Sequence, residues 1–99
     1  MCNQTIIIGR LVNEPEKFLD EEGKKYVRFT VATSRNFKNM QGEYDTDFFK
    51  IRAFDYICDT AYEYLKKGDL IGVKARLESD GDNIHIIAEK ITFLSSNRG

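Results

Sequence analysis

The segment Thr46–Phe54, T-D-F-F-K-I-R-A-F, alternates with a period of two. Phe49, Ile51 and Ala53 fall on one side, and Phe48, Lys50, Arg52 and Phe54 on the other. Such alternation marks a strand with one buried face. Immediately after it the period changes. Ile57, Ala61 and Leu65 recur at i, i+4 and i+8, which predicts a short amphipathic helix over Ile57–Lys67. Thr60-Ala61-Tyr62-Glu63 has capping-box spacing, with Asp55 or Asp59 as alternative caps. Lys66 and Lys67 suit the negative helix end, and Gly68 suits the residue just beyond it.

Strands extend outward from this pair in both directions. Upstream, Gln4–Val12 is short and β-branched, and Pro15 ends it. Gly9 inside it predicts a bulge or a barrel bend. Leu19–Gly23 reads as a polar turn. In Lys25–Ser34, Val27, Phe29 and Val31 alternate with Arg28, Thr30 and Ala32, which predicts a second strand. Asn36–Asp45 reads as a loop that bends at Met40–Glu43. Downstream, Leu70–Leu77 alternates again, Ser79–Asn83 holds an Asp-Gly hairpin turn, and Ile84–Leu94 completes a fifth strand. The apolar residues of that last strand are out of phase, which predicts a bulge near Ile87–Ala88. Three strands, a helix and two strands fit an all-β OB-fold, a five-stranded, partly open antiparallel barrel. An SH3-like barrel or a helix-capped sheet has a similar order.

Composition narrows the function. The 99 residues carry a net charge of −1, so any nucleic-acid binding must rest on where the basic residues sit. No apolar run approaches the ~20 residues of a membrane span, and the start lacks the basic region of a secretory signal. Cys2 and Cys58 stand far apart with no C-x-x-C, and His85 is the only histidine. Neither a disulfide framework nor a zinc site is expected, and the setting is a reducing cytoplasm. Asp45 with Asp47, and Asp80 with Asp82, lie beside Gly-containing turns and read as turn residues rather than paired acids. No nucleophile–base pair or phosphate loop is present, so an enzyme is not expected, nor a cofactor.

The outer row of Thr46–Phe54 carries the chemistry. Phe48, Lys50, Arg52 and Phe54 span about 20 Å of strand at ~3.3 Å per residue. Rings for bases and cations for phosphates, exposed on one sheet face, suit a single nucleic-acid strand. A duplex hides its base faces. The competing reading is that a loop or a subunit interface covers these rings. Arg35-Asn36-Phe37-Lys38 adds a further aromatic among basic residues, and Lys74 and Arg76 add cations.

Several segments together carry a resemblance. They are Asn3-Gln4-x-Ile6-x-Ile8-Gly9-Arg10-Leu11, Glu14-Pro15-Glu16, Phe29-x-Val31-Ala32-x-x-Arg35-x-Phe37, Asp47-Phe48-Phe49-x-Ile51-x-Ala53-Phe54, Ala61-x-x-x-Leu65-x-Lys67-Gly68, Ile71-x-Val73 and Arg76-Leu77. In order and spacing they resemble bacterial single-stranded DNA-binding proteins. The resemblance implies an OB-fold over residues 1–95 with a frayed end over 96–99, a homotetramer, and sequence-independent binding of single-stranded DNA in replication, repair or recombination. It implies a bacterial, cytoplasmic, nucleoid-associated protein. It makes Phe37, Phe48 and Phe54 the stacking aromatics, and Arg10, Arg35, Lys50, Arg52, Lys74 and Arg76 phosphate contacts. It also implies that Met1–Ile8 pairs across a dimer interface. The family's long loop between the last two strands is cut to Ser79–Asn83, which removes part of the usual binding surface. The family usually continues into an acidic tip that recruits replication and repair proteins. This sequence stops at Gly99, either truncated before such a tip or of a tail-less type, so the resemblance does not extend to recruitment through it. Two other OB-fold readings remain: a dimeric primosome-type accessory protein and a protein-interaction module.

Overall fold

The computed structural model describes residues 1–96. It contains strands β1 (Thr5–Leu11), β2 (Glu16–Leu19), β3 (Lys25–Lys38) and β4 (Tyr44–Phe54), helix α1 (Asp55–Tyr64), and strands β5 (Leu70–Asp80) and β6 (Asn83–Ser95). Apart from Ser96, the expected frayed end lies outside the described residues. The sheet order β1-β5-β6-β4-β3, with β3 returning to β1, closes a five-stranded barrel, and β2 is added outside the ring on β3. The barrel and its single helix agree with the OB-fold expectation. One seam departs from it: β4 and β6 run parallel and pair only at Ile51↔Ile86 and Arg52↔Ile87. The other seams are antiparallel.

The apolar alternation sets the core. Leu11, Val27, Phe29, Val31, Ile51, Ala53, Ile71, Val73 and Ala75 are buried in one cluster, joined by Cys58, Ala61 and Leu65 from the helix side. Phe49 packs against this cluster while remaining partly exposed. Gly9 is fixed by close approach. A Cβ there would lie 2.2 Å from the Ala32 carbonyl oxygen, so only glycine lets β1 cross from β5 to β3.

Three expectations are corrected. First, Glu16–Leu19 is a short strand, β2, which pairs Phe18 with Tyr26 and Glu16 with Arg28. The polar turn shifts by one residue to Asp20–Lys24, where the Asp20 carboxylate accepts from the Glu22 and Lys24 N–H groups at 3.0 and 2.7 Å. Second, most of the expected loop Asn36–Asp45 is a β-hairpin arm. β3 runs to Lys38, which pairs with Tyr44 across a turn centred on Asn39–Glu43. Asn39 closes that turn by accepting from the Gln41 and Glu43 N–H groups at 2.9 and 3.0 Å. Third, the helix starts and stops earlier than expected. Phe54 is its N-cap without a side-chain cap, and the Leu65 N–H donates to the Ala61 carbonyl at its end. Lys66–Asp69 form a separate turn in which the Lys66 N–H donates to the Asp69 carboxylate at 2.9 Å. The bulge expected near Ile87–Ala88 is present, taking in Glu89, because Lys74 pairs with Lys90 and Ala75 with Ala88. A second bulge takes in Leu94, since Leu70 pairs with Ser95 and Ile71 with Phe93. The Asp-Gly turn is as expected, with Gly81 at φ 63° between Asp80 and Asn83.

Candidate nucleic-acid interface

Register decides what stands beside the outer row of β4. Phe48 faces Ala32, Lys50 faces Thr30, Arg52 faces Arg28 and Phe54 faces Tyr26. The small partners of Phe48 and Lys50 leave both standing clear of the sheet, and Phe48 is 63% exposed. Tyr44 continues the same row out along the arm, where it is exposed beneath the Lys38 ammonium at 5.9 Å.

At the other end of the row the rings run across the strands. Phe18, Tyr26 and Phe54 form a ladder over β2, β3 and β4, with centroid distances of 5.7 and 5.1 Å. Tyr26 is only 6% exposed although it lies outside the core cluster, because its neighbours on the outer face cover it. The Arg52 guanidinium lies 5.0 Å from the Tyr26 centroid, Arg28 lies 4.4 Å from Phe18, and the Lys24 ammonium lies 5.3 Å from Phe54. Cation–π attraction holds these groups against the rings. Tyr44, Phe18, Tyr26, Arg28 and Lys24 are additions to the residues expected from sequence. The parity of β3 places Tyr26 with Arg28, so that residue was within reach of pattern reading. Phe18 joins only through the β2–β3 register, and Tyr44 only once the arm is known to be paired.

The remaining expected residues fall in different places. Phe37 is exposed on the arm, past the irregular register that follows Ser34. Arg35 is engaged within the protein: its Nη2 lies 2.9 Å from Asp47, and a second contact reaches Asp45 at 3.7 Å. The carboxylate raises the Arg35 pKa, and the guanidinium lowers that of Asp47. Asp47 shares the phase of Phe49 and Ile51, so this cluster lies on the side of the arm opposite Phe48. The two aspartates are structural, as expected, but they act through Arg35, and through Asn39 at 3.1 Å from Asp45, rather than through turn N–H groups. Arg10 and Lys74 project from the outer face of β1–β5; Lys74 stands beside Ile6, whereas Arg10 pairs with Ala32, the partner of Phe48, and so flanks the Phe48 end of the row. Arg10 donates to the Gly68 carbonyl at 3.0 Å. Arg76 is bound by Glu78 at 2.7 Å and approached by Glu89 at 3.7 Å.

Other chemistry finds no assembled centre. Among the described residues no group of three or more His, Cys, Asp or Glu is placed to hold a metal ion. Cys58 is fully buried, and that burial pushes its thiol pKa up, away from a reactive thiolate. His85 is a half-buried strand residue 3.4 Å from Asp80. No helix among the described residues is long and apolar enough to cross a membrane.

A closed five-stranded barrel with one helix, carrying an open row of rings and cations, defines an OB-fold of the kind that receives extended single strands. Its relatives specify the class further. Residues 2–93 match the single-strand binding protein family, and the chain belongs to that family. It is 37% identical over 103 residues to single-stranded DNA-binding protein 1 of Staphylococcus aureus (strain Mu50), covering 95% of this chain and 66% of that protein. The chain thus spans just under two thirds of the length of that relative. Among solved structures, a Plasmodium falciparum SSB in complex with single-stranded DNA superposes with a TM-score of 0.76 at 25% identity, covering 96% of this chain and 97% of that one. The yeast mitochondrial single-stranded DNA-binding protein Rim1 superposes at 0.81 over 97% of each chain, and at 19% identity it speaks for the fold alone.

Proposed function

We propose that this chain binds single-stranded DNA without sequence preference and shields exposed strands during replication, repair or recombination in a bacterial cytoplasm. The observation that carries this is the outer row of β4. Phe48, Lys50, Arg52 and Phe54 share one face; the small partner Ala32 leaves the Phe48 ring open, and Phe54 is half-buried beside Tyr26. Bases stack on Phe48 and Phe54, and Lys50 and Arg52 meet phosphates. Tyr44 extends the path along the arm, and Phe37, exposed there but out of phase with the Lys38–Tyr44 pair, offers a ring on the arm's other side. Arg35 serves the arm rather than the strand. Arg10 flanks the Phe48 end of the row through Ala32, and Lys74 contacts DNA only where it wraps to the β1–β5 face. The work is binding without catalysis. A labelled oligo-dT of roughly 35 nucleotides, titrated at two salt concentrations with duplex as competitor, tests this reading. Salt-dependent binding that duplex does not displace supports it. No binding at low salt transfers the aromatic face to a protein partner, as in the interaction-module reading.

We further propose that the chain self-associates through β1, most simply as a homotetramer. Among the described residues, Thr5–Ile8 pair only with β5 and leave their other edge open. An open edge is a template for another strand. Ile6 and Ile8 are exposed beside it, and Leu94 lies near Ile8 above Gly72. Asn3 holds the start of β1 in place, bonding the Leu77 carbonyl at 2.7 Å and the Leu77 N–H at 3.0 Å. Light scattering should give four subunits. Two subunits would favour the primosome-type reading.

A further inference from the structure

Arg76 belongs to a row that crosses the barrel at right angles to the strands. Arg28 pairs with Arg52 in the β3–β4 register, Arg52 with Ile87 between β4 and β6, and Ile87 with Arg76 between β6 and β5. Laterally paired residues project from the same face of a sheet. Ile87 is buried yet absent from the core cluster, which places it on this outer face, covered by its long neighbours. Phe54 and Arg76 also line one groove of about 390 Å³, together with Lys24, Glu78, Ile87 and Glu89. Arg76 is therefore a neighbour of the aromatic row, although five-strand order in the chain hides it.

The three guanidiniums of this row are held differently. Arg28 and Arg52 rest on rings, which leaves their N–H edges able to donate to an arriving anion. Arg76 is occupied. Its Nε and Nη2 donate to Glu78 Oε2 at 3.1 and 2.7 Å, and its Nη1 lies 3.7 Å from Glu89 Oε2. A carboxylate offers arginine the same planar acceptor geometry that a phosphate does. The side chains are half exposed, at 41% for Arg76, 50% for Glu78 and 36% for Glu89. Exposed pairs of this kind contribute little to stability. Their principal physical effect is on what else can reach Arg76.

We propose that Glu78 and Glu89 are built-in competitors for phosphate at Arg76, and so set the tightness and salt dependence with which the aromatic face holds a single strand. A phosphate arriving beside Phe54 must displace two carboxylates to reach Arg76, and it then lies next to both. The outer face carries a cation in reserve. The inference rests on the single-strand reading above and adds the residues that limit affinity.

The test uses the whole chain and labelled oligo-dT. Wild type is compared with the double variant Glu78→Gln/Glu89→Gln, with that variant plus Arg76→Ala, and with Glu63→Gln, an exposed charge control on α1. Melting curves confirm that each is folded. The double variant should bind about 3–10-fold more tightly at low salt, and its salt slope should steepen by about 0.7, the increment for one further phosphate neutralised on a single strand. Adding Arg76→Ala should abolish that gain, and Glu63→Gln should behave as wild type. A double variant that binds no tighter than wild type overturns the proposal, because the glutamates would then be positioning Arg76 or standing clear of the strand. A gain that survives Arg76→Ala also overturns it, since general repulsion would be the cause. If wild type itself fails to bind oligo-dT, the single-strand reading falls and takes this inference with it. Binding by wild type with no gain in the variant removes this inference alone.

Discussion

The two faces of β4 differ in how their neighbours treat them. On the inner face, Ile51 and Ala53 are completely buried and Phe49 closes the end of the core. On the outer face, Phe48 stands clear while Phe54 is braced by Tyr26. A single strand thus supplies a barrel wall and a binding row, separated only by parity. The contrast teaches that a phenylalanine's role here follows from its phase: Phe48 and Phe49 are chain neighbours with opposite surroundings. Substitutions on the inner face should change stability, and those on the outer face should change binding.

The largest expected effect comes from the inner face. Ile51→Ala should cost about 2–5 kcal/mol of folding stability, read from the urea midpoint, because it empties a fully buried site. A cost near zero would mean that the inner face is not the core. Phe54→Ala comes next. It should weaken oligo-dT binding by about 1–3 kcal/mol per engaged base. It should also cost about 0.5–1.5 kcal/mol of stability through the lost contact with Tyr26. Undiminished affinity would assign that ring to the sheet alone. Arg52→Ala should weaken binding to all sequences alike and reduce the salt slope by about 0.7. An unchanged slope would remove Arg52 from the phosphate contacts.

The smallest effect concerns charge on the inner phase of the arm. Arg35 lowers the folded-state pKa of Asp47, so their pairing contributes stability above the ordinary carboxylate range. That contribution is lost as the pH falls through the lowered value. Wild type should therefore melt slightly above Asp47→Asn at neutral pH, and the two should converge in acid. Oligo-dT affinity should be the same for both, because the pair faces away from Phe48. Curves that stay apart in acid would show that titration of Asp47 is not the source of the difference.

Local pattern revealed those elements whose faces differ in burial. The alternation of Thr46–Phe54 gave both rows, and the change of period after Phe54 gave the helix. Gly9 and the Asp80–Asn83 turn were legible because backbone geometry restricts what fits there. β2 was not, because Glu16, Lys17 and Leu19 are exposed and no burial pattern marks an edge strand of four residues. The arm beyond Ser34 reads as a loop for the same reason: its residues are exposed, and backbone pairing with a few side-chain contacts, not burial, holds it. Within the site, parity placed Phe48, Lys50, Arg52 and Phe54 on one face. The company of Phe18, and the place of Arg76 beside Phe54, depend on strand order and register, which no local window contains. Arg35 has a basic neighbourhood in the sequence, and its acidic partner Asp47 is brought to it only by the hairpin pairing of β3 and β4.

The most direct test is Phe48→Ala, measured for oligo-dT affinity and melting temperature in the same preparation. Phe48 is the outer residue with the least structural company, so the two readouts should separate. Affinity should fall about tenfold or more, within the range of one stacked base, with a melting temperature close to wild type. Unchanged affinity, or a collapse in melting temperature, would contradict the stacking role of Phe48 by making it a bystander or part of a buried interface.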